Sequence, residues 1–203
     1  IGQAPEHKAY VLGNPDGTFG PERPITRAEM AALLTRAVVR EESYAPRSYT
    51  DVAEGYWARD AIVLAAKTGL MSGYGDGSFK PDAPITRAEM ASAISRLLTD
   101  EPSAAVFPDA AGIWAETSIR KTSAAGIVKG YEDGTFRPNG NLTRAEAVAM
   151  LDRLLGRGPL TGAPQKWTDV PATYWAYGYI QEASFDHRYE IKEEGGETYV
   201  SAP

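Results

Sequence analysis

GYGDGSFKPDAPITRAE, residues Gly73 to Glu89, recurs twice without gaps, as GNPDGTFGPERPITRAE from Gly13 to Glu29 and GYEDGTFRPNGNLTRAE from Gly130 to Glu146. The leading glycines are 60 and then 57 residues apart. Self-similarity at such a period marks a repeat architecture, in which each unit covers its apolar face with its neighbours. The stretch also dictates local structure. Asp16-Gly17, Asp76-Gly77 and Asp133-Gly134 are turn signals. Phe19, Phe79 and Phe136 are placed to pin the loop on a core, and the Pro two residues later stiffens it. Each copy closes on Thr-Arg-Ala-Glu, at Thr26, Thr86 and Thr143. This is a capping-box pattern, with the Thr hydroxyl accepting from the third helical amide and the Glu reaching back.

The segment after each cap is an amphipathic helix. Its apolar stripe is Met30, Leu33, Leu34, Ala37 and Val38 in the first copy. Met90, Ala93, Ile94, Leu97 and Leu98 form it in the second, and Ala147, Met150, Leu151, Leu154 and Leu155 in the third. A second motif precedes two of the copies: YTDVAEGYWARDAI from Tyr49 and FPDAAGIWAETSI from Phe107. It predicts another helix, with Ala58, Ala61, Ile62 and Ala65 inward and Gly69 or Gly126 as the left-handed stop. The first copy lacks this front half, yet it reappears at the far end as WTDVPATYWAYGYI, Trp167 to Ile180. Three front and three back halves in permuted order imply that the C-terminal front half completes the N-terminal unit. The expectation is therefore one mainly α domain over 1–203: unit A from 165–190 plus 5–45, unit B from 46–102 and unit C from 103–160.

Composition excludes several function classes. A net charge of −6, with 21 basic against 27 acidic residues, leaves no broad basic face for nucleic acid. No cysteine means no disulfide, thiolate metal site or cysteine nucleophile. The two histidines, His7 and His187, lie at opposite ends of the sequence, so no His-based metal site is expected. No apolar run is long enough for a transmembrane helix, and no membrane insertion is expected. The chain opens at Ile1 without a signal peptide and reads as a mature segment or part of a longer protein.

At these motifs the sequence resembles the S-layer homology family. The resemblance rests on aromatic-x-Asp, Trp-Ala, Gly-Tyr-x-Asp-Gly-Thr-Phe-x-Pro and Ile-Thr-Arg-Ala-Glu, present in threes over nearly the whole chain. The tail from Glu182-Ala183 to Tyr189-Glu190 also resembles the closing segment of permuted members. The resemblance implies a pseudo-threefold prism of three helix-loop-helix units. It implies a non-enzymatic, exported module that is monomeric in isolation and part of a larger surface protein of the bacterial wall or S-layer. Its implied partner is secondary cell-wall polysaccharide, bound without a cofactor through an acidic, pyruvylated sugar. The implied contacts lie in grooves between units, with the motif arginines Arg27, Arg87 and Arg144 foremost. The sequence departs from the family pattern at Asn14-Pro15, which replaces Tyr-x, and at Asp109-Ala110, which replaces Asp-Val.

The residues carry readings of their own. Each Arg follows a helix N-cap, where unsatisfied N–H groups and a guanidinium fork suit a carboxylate; the alternative is a structural ion pair. Arg→Ala is accordingly expected to cost about 1.5–3 kcal/mol of binding per site while sparing the fold. Gly13, Gly73 and Gly130 either let a ligand approach the backbone or adopt positive φ. Trp57, Trp114 and Trp175 either stack on sugar or, as the favoured reading, wedge into the core with one edge exposed. Asp16, Asp76 and Asp133 read as turn residues rather than calcium ligands, Tyr10 and Tyr74 as rim residues, and His187 as a surface histidine. Glu29, Glu89 and Glu146 are helix caps first. Paired carboxylates keep a glycoside hydrolase open as an alternative, and repeat symmetry keeps a surface-layer assembly module open.

Overall fold

The computed structural model describes residues 3–39, 48–99 and 104–203. The expected unit boundaries at 45/46 and 102/103 lie outside these residues. Two compact units emerge, Pro24–Leu142 and Ile1–Arg23 together with Thr143–Pro203.

In Pro24–Leu142, helices α1 (Arg27–Val38) and α2 (Arg59–Lys67) pack together, as do α3 (Arg87–Ser95) and α4 (Glu116–Ala124). The expected left-handed stops are present: Gly69 and Gly126 both have φ of +73°. Thr86 and Glu89 form the full reciprocal capping box. At Thr26 the hydroxyl caps the Glu29 amide at 3.1 Å and also donates to the Glu29 carboxylate. The stripes are buried at Met30, Leu33 and Leu34 and at Met90, Ala93 and Ile94. However, α3 ends at Ser95, and Leu97 lies beyond the helix and exposed. The residues just before the three caps converge. Ile25 N–H donates to Leu142 O, Leu142 N–H to Ile85 O and Ile85 N–H to Ile25 O, at 2.9–3.1 Å. This closed cycle of backbone bonds is buried, so the repeats meet around a hydrogen-bonded hub.

The Asp-Gly loops are built as their composition dictates. Asp76 Oδ1 accepts from the Ser78 amide and hydroxyl at 2.9 and 2.6 Å, and Gly77 takes φ of +83°. Asp133 does the same for Thr135. Each loop is then clamped by the aspartate of its front half. Asp51 accepts from the Phe79 and Lys80 amides at 2.8 Å each, and Asp109 from those of Phe136 and Arg137 at 2.9 and 2.8 Å. The clamp holds Lys80 and Arg137 at φ of +55° and +58°.

In the other unit, α5 (Arg144–Leu155) packs against α6 (Tyr177–Ser184). The N-terminal back half and the C-terminal front half meet with the same chemistry. Asp169 accepts from the Phe19 and Gly20 amides at 2.8 Å each, and Gly20 has φ of +70°. Tyr10 is buried rather than on a rim. Its hydroxyl donates to Asp152 Oδ1 at 2.5 Å, and its amide donates to Ala183 O. Where a mainly α domain was expected, this unit also carries a four-stranded sheet. Its strands are β1 (Glu6–His7), β2 (Leu160–Thr161), β3 (His187–Ile191) and β4 (Glu197–Ser201), in the order β1-β3-β4-β2. The β3–β4 hairpin turns on Gly195 and Gly196, both at positive φ. Among the described residues no helix is long and apolar enough to cross a membrane.

Candidate functional site

The three motif arginines are buried, and their helix ends are already satisfied. Arg27 and Ala28 amides donate to Ala83 O and Pro81 O, and Arg87 and Ala88 amides to Gly140 O and Pro138 O. Arg144 and Ala145 amides donate to Arg23 O and Pro21 O. All six bonds are 2.9–3.0 Å. The N–H groups expected to greet an anion are therefore occupied by loop carbonyls, and the helix N-terminus is not an anion site.

The guanidinium groups serve the same loops. Arg27 Nε donates to Phe79 O at 2.9 Å and Nη2 to Ser72 O at 2.7 Å, while Nη1 pairs with Glu89. Arg87 reaches Phe136 O and Lys129 O, both at 2.8 Å, and Arg144 reaches Phe19 O at 3.0 Å and Leu12 O at 2.9 Å. Each guanidinium also lies 4.6–4.7 Å from the centre of the buried loop phenylalanine. Truncation to Ala would strip buried carbonyls of their donors, so the expectation that Arg→Ala spares the fold does not survive. Three of the five N–H groups of Arg27 go to these partners.

The glycines have a packing reason that neither sequence reading foresaw. A Cβ on Gly73 would fall 2.3 Å from the Tyr49 ring and 2.8 Å from Ser78 O. Gly130 meets Phe107 and Gly13 meets Trp167 at the same 2.3 Å. The front-half aromatic lies directly on the glycine, and none of the three has positive φ. The signal was available, since every aromatic-x-Asp accompanies such a glycine.

The tryptophans reverse the favoured core reading. Trp57, Trp114 and Trp175 are 62%, 69% and 55% exposed. Neighbouring residues at a helix entrance cannot all face inward, and the following alanines, Ala58, Ala115 and Ala176, take the buried place. Large indoles left in water at equivalent repeat positions are candidates for contact with a ligand.

Within Pro24–Leu142 the structure brings two of the singled-out residues together. A cavity of about 150 Å³ is lined by Arg27, Met71, Ser72, Glu89, Arg96 and Trp114, among others. The sequence reading missed Arg96, whose Nη1 donates to Leu70 O at 2.9 Å, although an arginine recurs nine residues past each motif arginine, at Arg36, Arg96 and Arg153. Two guanidinium groups oppose one carboxylate here, beside an indole and a serine. That combination suits a small polar ligand with one apolar face and negative charge. Glu89 is tied to Arg27 and to the Thr86 amide, so it serves as cap and ion-pair partner.

A second cluster lies in the other unit. His7 and His187, expected apart, have ring centres 5.8 Å from each other, and His187 is fully buried rather than on the surface. Glu182 and Glu197 complete the group. Burial opposes ionisation of Glu182, but His187, Glu197 and Arg157 outweigh it and hold its carboxyl down at about 2. Glu197, buried against Glu182, is pushed up to about 7.

A model of the S-layer homology domain matches residues 7–31, 48–91 and 106–148. The chain is 44% identical over 205 residues to cell surface glycoprotein 1 of Acetivibrio thermocellus, covering 93% of this chain and 9% of that protein. It is 40% identical over 208 residues to a cellulosome-anchoring protein of the same organism, covering 96% of this chain and 46% of that one. An uncharacterized cell wall amidase of Bacillus anthracis is 37% identical over 152 residues, covering 71% of this chain and 28% of the amidase. The chain thus spans less than half the length of each of these relatives.

Proposed function

Because the chain belongs to the S-layer homology family, we propose that it anchors a larger exported protein to the bacterial cell surface by binding wall polysaccharide. The observation that carries this reading is the cavity where Arg27 and Arg96 stand beside the exposed Trp114. The indole offers a flat apolar platform for the C–H face of a sugar ring. The two cations supply the field for an acidic substituent, with a pyruvyl carboxylate as the proposed partner.

Two observations support a binding module rather than an enzyme. The relatives bear a surface glycoprotein's, an anchoring protein's and an amidase's name, yet they share this segment over a minor part of their length. A common segment among proteins with different names fits common attachment better than common chemistry. Glu89, the carboxylate lining the cavity, is held by Arg27 and by its helix cap, in no position to donate or take a proton.

The test is calorimetric titration of Trp114→Ala with an acidic fragment of wall polysaccharide. The indole is exposed, so the variant should melt like the parent chain. We expect affinity to fall by about tenfold or more, the cost of removing an aromatic anchor. Unchanged affinity in Trp114→Ala, Trp57→Ala and Trp175→Ala alike would reject the cavity as the site.

A further inference from the structure

The His7, Glu182, His187 and Glu197 cluster has no part in polysaccharide binding, yet it concentrates four ligating side chains in one buried place. Their nearest N and O atoms all lie within 4.8 Å of one another. His7 Nδ1 is 2.8 Å from Glu182 Oε1 and 3.3 Å from Glu197 Oε2. His187 Nε2 is 3.0 Å from Glu182 Oε2 and 3.9 Å from Glu197 Oε2. Four ligands around a tetrahedral zinc ion, each at 2.0–2.2 Å, are separated by about 3.3–3.5 Å. The separations of 3.0, 3.3 and 3.9 Å approach these edges, and the widest, up to 4.8 Å, would have to shorten around an ion.

The hydrogen bonding leaves ligand atoms, and only those, turned inward. His187 Nδ1 lies 2.9 Å from Phe185 O, so in the neutral ring that nitrogen is the N–H donor and Nε2 carries the lone pair. Arg157 Nε donates to Glu182 Oε1 at 2.9 Å, so Oε2 is the oxygen left to the cluster. Glu182 Oε2, His187 Nε2 and Glu197 Oε2 are buried close together: Nε2 is 3.0 Å from Glu182 Oε2 and 3.9 Å from Glu197 Oε2, and in the neutral ring it has no proton to give either. Such atoms are costly in a protein interior unless something bridges them. Arg157 is the opposing charge. Its bond to the outer oxygen of Glu182 makes it an orienting partner, and two carboxylates with one guanidinium still leave net negative charge for a cation.

We infer that His7, Glu182, His187 and Glu197 form a structural binding site for a divalent transition-metal ion of the zinc class. Two imidazole nitrogens and two carboxylates suit zinc and exclude a calcium or magnesium cage, which requires mostly oxygen ligands. The ligands come from β1, α6, β3 and β4, so the ion would tie the N-terminal strand to the C-terminal helix and hairpin. His7 is the most exposed ligand, its side chain 18% accessible, and gives the ion its way in.

The experiment uses the whole chain without an affinity tag, stripped of metal by a chelator and titrated with zinc chloride by calorimetry. Calcium and magnesium chlorides run in parallel. We expect one zinc ion per chain, no heat from the other two salts, and a melting temperature higher by about 5–10 °C at a hundredfold excess of zinc over its Kd. His7→Ala, at the accessible edge, should fold and bind zinc about 100-fold more weakly. A folded chain that takes up no zinc at 100-fold molar excess overturns the inference. So does zinc binding that His7→Ala leaves unchanged, or calcium bound as tightly as zinc.

Discussion

Asp51 and Asp109 each hold two consecutive loop amides, and that one contact fixes the shape of the Gly-x-x-Asp-Gly loop. Burial alone would raise the Asp51 carboxyl, but the Phe79 and Lys80 amides more than offset it and leave it below the usual carboxylate value. Asp109 is lowered by the Phe136 and Arg137 amides in the same way. A depressed carboxyl stabilises the fold fully above the unfolded value, near pH 3.9, and that contribution disappears as pH falls through the folded value. The chain should therefore lose melting temperature as pH drops below about 4. In the Asp51→Asn, Asp109→Asn double variant the neutral-pH melting temperature should be lower and the acid limb flatter. Parallel acid limbs in the two proteins would show that the clamps carry no such charge. The glycine beneath each front-half aromatic is the complementary residue-scale device. The pairing of each aromatic-x-Asp with such a glycine was readable, but its reason, a ring 2.3 Å from where a Cβ would stand, needed the structure.

At the scale of elements, helix caps, stripes and glycine stops were legible because each is a local pattern of a few residues. Thr86 with Glu89, and Gly69 with Gly126, follow the rules for helix ends without tertiary help. What failed required knowing the next element. The first amides of α1, α3 and α5 looked open to an anion, but loop carbonyls from other repeats fill them. The sheet escaped notice because two of its strands, β1 and β2, are two residues long and carry no periodic signal. The Gly195-Gly196 pair between Tyr189-Ile191 and Tyr199-Val200 was the readable sign of its hairpin. The cavity was half legible. Arg27, Trp114 and Arg96 all stand at repeated positions, Arg96 like Arg36 and Arg153 nine residues past a motif arginine, but exposure of the indole depends on Ala115 taking the inward place.

At the scale of the whole chain, the permuted order of halves makes the C-terminal segment part of an N-terminal structure. Within Ile1–Arg23 and Thr143–Pro203, Asp169 holds the Phe19 loop, Ala183 O accepts the Tyr10 amide, and β1 pairs with β3. A chain ending near Gly158 loses all of these together. It should melt at a much lower temperature or aggregate, out of proportion to the residues removed. A truncated chain that melts like the intact one would contradict the closure of unit A by its two halves. The central claim is attachment through an acidic wall sugar. Its most direct test titrates the intact chain with purified wall polysaccharide, before and after removal of the acidic substituent. The account predicts saturable binding that weakens by at least about tenfold, near 1.4 kcal/mol, once the acid is gone. Equal affinity for both forms, or no binding to either by a folded chain, would contradict it.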